Sequence, residues 1–279
     1  MHNCSRRDLL RRGVAAGLGI CAPRLLTGCS AASVLPWPVP PSTPTDQTAR
    51  VSAVKGRDLA TMTRDAIDAL GGMGQVVQRG ETVFIKPNLG GLGLVKHNVF
   101  TSGDCTKTEV VAAVAEECLK VGAAQVIIGD GGQYPSFSWA DVATLDGESS
   151  MAEIAQRLSA NHAGDVTLAC LNADSPEWDA VPSPYTSLGK IYTSSLVTRA
   201  DRVISVPVVK THRWTKMTGS LKNFIGATSI WHYGAGQPWR FGLHNAAGGI
   251  EQCFLDIAAA IKIDLAIIDA SICCEGNGP

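Results

Sequence analysis

Thr82-Val83-Phe84-Ile85-Lys86-Pro87-Asn88 and Gln125-Val126-Ile127-Ile128-Gly129-Asp130 are the two stretches that decide how this chain folds. Each is a run of apolar, mostly β-branched residues that ends on a charged or polar one. A strand with one wet face alternates apolar and polar residues, whereas a strand apolar throughout needs cover on both faces. A glycine-rich loop, Gly90-Gly91-Leu92-Gly93, follows the first stretch. Thr108 is then placed to cap a helix running to Val121, with Val110, Val111, Val114 and Cys118 on one stripe and Gly122 as its stop. The predicted fold class is α/β, a largely parallel sheet flanked by helices.

The alternation continues in both directions. Val51 to Val54 reads as a short strand, and Asp58 to Leu70 as a helix stopped by Gly71-Gly72. Met151 to Leu158 and Ala246 to Ile261 read as helices, with a short one over Ser195 to Ala200. Asp165 to Cys170, Ile191-Tyr192, Arg202 to Val206 and Asp264 to Ile268 read as strands. Leu171 to Leu188, rich in Pro, Ser and Asp, reads as irregular, and a long basic and aromatic loop region follows Pro207. Ligands of such sheets gather at the carboxyl ends of the strands. The polar residues expected there are Lys86, Asn88, Asp130, Lys210, His212 and Asp269.

Composition removes several classes. A chain of 279 residues, 45% hydrophobic and 18% charged, is too apolar to be disordered. A net charge of -1 does not suit a protein that coats nucleic acid, a partner the sequence disfavours. The nine cysteines include no CxxC pair, so neither an iron–sulfur cluster nor a structural zinc site is supported.

Ser5-Arg6-Arg7-Asp8-Leu9-Leu10, ahead of an apolar stretch from Gly13 to Ile20, resembles a twin-arginine export signal. Leu26-Thr27-Gly28-Cys29 resembles a lipobox, whose Cys29 would carry the lipid. An ordinary leader or a short amphipathic helix is the alternative. The expected organisation is a signal peptide over residues 1–29, a Pro/Ser/Ala-rich tether over 30–49 and a single α/β domain over 50–279. That places the protein outside the cytoplasm, in the periplasm or its equivalent, delivered by the export machinery and held to a membrane surface through Cys29. Five arginines and Asp8 give the leader +4, so subtracting it from -1 leaves -5 for the mature part.

Residues 202–250 contain no Asp or Glu, yet hold Arg202, Lys210, Arg213, Lys216, Lys222 and Arg240 together with His212, His232 and His244. Trp214, Trp231, Tyr233, Trp239 and Phe241 are interleaved with them. Cations without carboxylates repel one another unless an anion neutralises them. The stretch is therefore expected to form a pocket for an anionic small molecule with aromatic walls. A solvated basic face is the alternative. Thr218-Gly219-Ser220 should open a helix whose first N–H groups add to the anion site, with Lys222 as a point charge and Asn223 as an orienting group.

Other roles follow from side-chain chemistry. Lys86 suits an anion ligand or a Schiff-base amine, or else is a strand-end lysine reaching solvent. Lys210 and His212 share one side of an extended chain, so one can hold a charge while the other moves a proton. Asp130 and Asp269 are the acids or bases, and His212 and His244 with either of them would suit a zinc, iron or manganese cofactor. Alternatively the aspartates only cap turns, and a Lys–Asp network only orders loops. The cofactor, metal or otherwise, is left open.

The motifs also resemble those of a known family. Ile85-Lys86-Pro87-Asn88, Val121-Gly122-Ala123 through Gly129-Asp130, Pro207-Val208-Val209-Lys210-Thr211-His212 and Thr218 through Gly226 are similar to the domain of unknown function 362 family, as are Leu243-His244, Ile268-Asp269-Ala270 and Glu275-Gly276-Asn277-Gly278-Pro279. The resemblance covers about residues 51 to 279. It implies polar residues gathered at these motifs and names no reaction. Some members carry a ferredoxin-like cysteine-rich segment, which this sequence lacks. In the family the Glu275 motif lies inside the domain, which implies further fold beyond Pro279. The expected function is binding of an anionic ligand or cofactor, with redox or metal-dependent enzymatic activity. The alternative is a non-catalytic solute- or partner-binding lipoprotein.

Overall fold

The computed structural model describes residues 49–92, 99–132, 135–175, 177–183, 188–234 and 240–278. The expected leader, Cys29 and tether as far as residue 48 lie outside the described residues, as do Gly93 and Trp239.

Numbered along the chain, β1 (Thr82–Pro87), β2 (Gln125–Asp130), β3 (Asp165–Cys170), β6 (Arg202–Val206) and β9 (Leu265–Ala266) form one sheet in the order β3-β2-β1-β6-β9. Every pairing in it is parallel. Because successive side chains on a strand point to opposite faces, the apolar runs feed two cores. Val83, Ile85, Val126 and Ile128 pack under α1 (Leu59–Asp68), α2 (Thr108–Lys120) and α3 (Met151–Asn161). Phe84 and Ile127 pack on the other face against Phe224, Leu243, Cys253 and Ile257, the last two from α9 (Gly249–Ile261). Each such side chain contributes about 1.5–3 kcal/mol by leaving water. The fold is thus α/β with both faces covered.

The helices start where local chemistry favours it. Asp58 caps α1 by accepting the Thr61 N–H at 2.7 Å. Ser150 and Glu153 form a reciprocal capping box at the start of α3. The start of α2 differs from expectation. Lys107 occupies the cap position, and the Thr108 hydroxyl instead donates to the Ala143 carbonyl at 2.7 Å.

Three other expectations are corrected. Val51 to Val54 is not a strand, and Val51 is 86% exposed, with no strand among the described residues pairing with it. The stretch read as irregular contains α4 (Leu171–Asp174) and β4 (Trp178–Pro182). β4 pairs antiparallel with β5 (Lys190–Ser194), ahead of α5 (Ser195–Thr198). Proline is tolerated because Pro182 sits at the end of a two-stranded ribbon. The long basic loop is itself built of short elements: β7 (Lys210–His212), β8 (Lys216–Thr218), α6 (Ser220–Asn223), α7 (Ile230–Gly234) and α8 (Phe241–His244). Among the described residues no helix is long and apolar enough to cross a membrane.

Candidate functional site

The chain runs β1, β2, β3 towards one edge of the sheet and then returns to place β6 on the other side of β1. Beyond the carboxyl ends of β1 and β6 lies the crevice where the direction of winding reverses, the usual ligand position in such sheets. Asn223 spans it. Its Nδ2 donates to the Lys86 carbonyl on β1 at 2.6 Å and to the Ser205 hydroxyl on β6 at 3.2 Å. Its Oδ1 and the Oδ1 of Asn88 are buried without a hydrogen-bond partner.

Two buried lysine–carboxylate pairs frame this crevice. Lys86 Nζ lies 2.7 Å from Asp130 Oδ1, with side-chain exposures of only 1% and 3%, and also donates to the Pro87 carbonyl. Asp130 Oδ2 accepts the Leu89 N–H at 2.6 Å. Burial pushes the Lys86 ammonium below the usual lysine range, and Asp130 pulls it back. Gly226 closes over the pair at a distance no side chain could share. The second pair joins Asp269 to Lys107, whose Nζ is 3.3 Å from Asp269 Oδ2 and also reaches the Ile272 carbonyl. The remaining oxygen of Asp269 accepts from the Ser271 N–H and hydroxyl. Asp130 and Asp269 are therefore both engaged by lysines and backbone.

The basic side chains of the acid-free stretch divide between several places. Arg202 sits at the amino end of β6, where Glu81 and Asp264 pair with it. Arg240 is buried, with its guanidinium donating to the carbonyls of Thr228 and Gly132 and to Asn172 Oδ1. Burial lowers it to about 10, with Asp130 acting against the shift. Arg213 lies over the Trp214 ring, and Lys216 is exposed as the first residue of β8, with a positive φ of 63°.

Lys210, His212, Lys222 and His244 remain together. In the β7–β8 ladder Lys210 faces Thr218 and His212 faces Lys216. The chain then turns into α6, and Lys222 Nζ reaches back to Thr218 Oγ1 at 3.2 Å. Lys210 and Lys222 thus flank one threonine. Lys210 is buried and donates to the Asp104 carbonyl at 2.5 Å, whereas Lys222, His212 and His244 are half-buried. The hairpin is held from behind, where the Thr211 N–H donates to the Cys274 carbonyl at 3.1 Å.

The electrostatics follow from that crowding. Burial and then Lys210 lower Lys222 to about 7. Burial, followed by Lys222, Lys210 and His244, lowers His212 to about 4. Burial lowers Lys210, with Cys105 and Asp104 opposing, and it lowers His244 as well, helped by Lys222. His212 Nδ1 accepts the N–H groups of Trp214 at 3.1 Å and Thr215 at 3.3 Å. The neutral ring therefore carries its proton on Nε2 and offers a hydrogen-bond donor.

This tautomer bears on metal binding, since Nε2 is protonated and Nδ1 already faces two donors. Among the described residues no three His, Cys, Asp or Glu side chains form a group that could hold a metal ion. The helix start at Ser220 adds little charge of its own, because α6 is four residues long and the macrodipole needs aligned peptides. Of the expected aromatic walls, Trp214 lies edge-on to His244 with ring centroids 6.1 Å apart. Tyr233 instead belongs to the core.

Lys107, Asp104, Arg240 and Ser205 were not singled out from sequence in these roles. Lys107 had one signal: a lysine directly before a helix start is a poor cap unless its side chain is wanted elsewhere. Two surface cavities lie apart from this site. One of about 130 Å³ is lined by Arg50, Ile67, Val76 and Leu265. The other, of about 400 Å³, is lined by Val197, Asp201, Ala260 and Asp264 at the amino ends of β6 and β9. Asp201 and Asp264 there accept backbone N–H groups and serve the fold.

Comparison with known proteins places these features. The chain is 29% identical over 236 residues to a thylakoid-associated protein of Synechocystis, a match covering 82% of this chain and 64% of that protein. It thus spans a little under two thirds of that curated relative. Among solved structures it overlays on a crystal structure of a Thermotoga maritima protein with a TM-score of 0.43 and 12% identity, over 77% of this chain and 52% of the other. It also overlays on the lactate racemase apoprotein from Thermoanaerobacterium thermosaccharolyticum with a TM-score of 0.41 and 11% identity, over 78% and 49%. The profile described as Domain of unknown function (DUF362) matches residues 83–279, which hold all but the first residue of the sheet together with Lys86, Asp130, Lys210, His212, Lys222 and Asp269, and the chain belongs to that family.

Proposed function

We propose that this protein binds an anionic small molecule beyond the carboxyl ends of β1 and β6. Lys222, His212 and His244 are the contacts, Lys210 sits behind them, and Asn223 orients the ligand. The observation that carries the reading is that the β7–β8 ladder and α6 bring Lys210 and Lys222 to one threonine, close enough to His212 that both lysines, with His244, oppose its protonation. An anion placed among them relieves that repulsion. In this reading Lys86–Asp130 and Lys107–Asp269 are the frame that fixes the crevice. Export by the twin-arginine route and attachment through Cys29 belong to the same proposal, on the strength of Ser5-Arg6-Arg7-Asp8-Leu9-Leu10 and Leu26-Thr27-Gly28-Cys29. Loss of membrane attachment in Cys29→Ser would support that part, and an unchanged distribution would overturn it.

The ligand reading is tested by calorimetric titration with sulfate, pyruvate and neutral acetamide at low salt. The anions should bind and acetamide should not. Lys222→Met should weaken binding roughly 10–100-fold, the range that a charged hydrogen bond of about 1.5–3 kcal/mol gives. Lys120→Met, on the last turn of α2 at the other end of the sheet, should leave it unchanged. Equal affinities for Lys222→Met and the unaltered protein would refute the assignment.

A further inference from the structure

We propose that Lys222 is a nucleophilic amine, which condenses with the carbonyl group of an anionic oxo compound whose charge rests among Lys210, His212 and His244. The smallest members of that class are the 2-oxo acids, with the anion and the carbonyl on adjacent carbons. The inference rests on the anion-binding reading of the same site and deepens it.

Three features single out Lys222 among the lysines near the crevice. Lys86 and Lys107 each have a buried carboxylate within 3.3 Å, which occupies their amines. Lys210 is buried, with its amine on the Asp104 carbonyl. Lys222 is half-buried, and its hydrogen bond goes to a neutral hydroxyl, Thr218 Oγ1 at 3.2 Å. Among the described residues no carboxylate pairs with it. A lysine beside a second cation and partly withdrawn from water is the arrangement that frees an amine near neutral pH. Burial and Lys210 act in that direction here. His212 presents Nε2–H rather than a base, so it suits the ligand's carboxylate.

The step balances without an oxidant or reductant. The Lys222 lone pair adds to the carbonyl carbon, and the carbonyl oxygen takes up protons and leaves as water. The product is an imine whose nitrogen keeps one proton, so one proton is consumed overall. A protonated imine withdraws electrons from the neighbouring carbon, which is its chemical use.

The test is reductive trapping of the full chain with glyoxylate and cyanoborohydride, read by peptide mass mapping, alongside a calorimetric titration with glyoxylate. Lys222 should label at least about tenfold faster than any other lysine at pH 7. Its rate should level off just above neutral pH while those of the other lysines keep rising. Lys210→Gln should slow labelling at Lys222. Should that variant fail to fold, the pH profile of the unaltered protein decides the matter alone. Glyoxylate binding without preferential labelling of Lys222 would overturn this inference and leave the anion site standing. Absence of both would overturn the two together.

Discussion

Asp269 holds Lys107 twice through one oxygen: Oδ2 accepts the Lys107 backbone N–H at 2.9 Å and lies 3.3 Å from the Lys107 ammonium. This joins the cap of α2 to the segment after β9, residues 162 apart in sequence. Both side chains are essentially fully buried. Removing the carboxylate would leave a buried cation uncompensated, at a cost of about 3–5 kcal/mol. Asp269→Ala is expected to lower the urea midpoint accordingly. Lys107→Met with Asp269→Leu should lose less than the sum of the single changes. Additive losses would show that the pair is not coupled.

The Lys86–Asp130 pair is sealed by backbone. A Cβ at Gly226 would overlap Asp130 Oδ1 and come within 3.0 Å of Lys86 Nζ. Gly226→Ala is thus expected to destabilise by about 1–3 kcal/mol, the usual cost of forcing volume into a packed site. Thermal unfolding should show a lower midpoint, and an unchanged midpoint would mean that the pair moves freely.

His212 should titrate near 4, as followed by its ring-proton NMR shifts. The folded value lies below the ordinary 6.5, so between the two the unfolded chain carries a proton that the folded chain does not. Stability from this residue is complete above about 6.5 and falls as pH drops towards 4. His212→Gln, which can still accept at the Nδ1 position, should flatten that part of the profile.

Anion binding should take up a proton. Free Lys222 sits near 7, and a bound sulfate would raise it towards the ordinary lysine range. Affinity should therefore decline as pH rises from 7 towards 10. Calorimetric heats at pH 7.5 should vary with the ionisation enthalpy of the buffer, and the variation should vanish in Lys222→Met. Raised salt should weaken binding in both proteins.

Periodicity located most of the elements because burial on two faces forces apolar runs, as in β1 and β2, and burial on one face forces the stripe of α2. It did not reveal β4, β7 or β8, whose partners are other short strands rather than the main sheet. The three residues of β7 and of β8 are too few to show a period, and Asp179 and Pro182 interrupt the apolar run of β4. The site was legible to a similar depth. Lys86 and Asp130 lie at the carboxyl ends of β1 and β2, and Asn88 and Asp269 follow β1 and β9, since parallel strands expose their carboxyl ends together, whereas Lys210 and His212 stand in the separate hairpin strand β7.

The sequence by itself determined the α/β class, the position of the polar edge and the family, because those depend on local apolar pattern and on motifs of contiguous residues. Only the tertiary structure decided which charges meet. It sent Arg202 to the far end of β6, turned Arg240 inward and gave Asp130 to Lys86 and Asp269 to Lys107. It brought Lys210 and Lys222 to Thr218 and set His212 and His244 within electrostatic reach of Lys222. Charge pairing depends on distances of a few ångströms between residues tens to more than a hundred positions apart, and no local pattern in a chain encodes those.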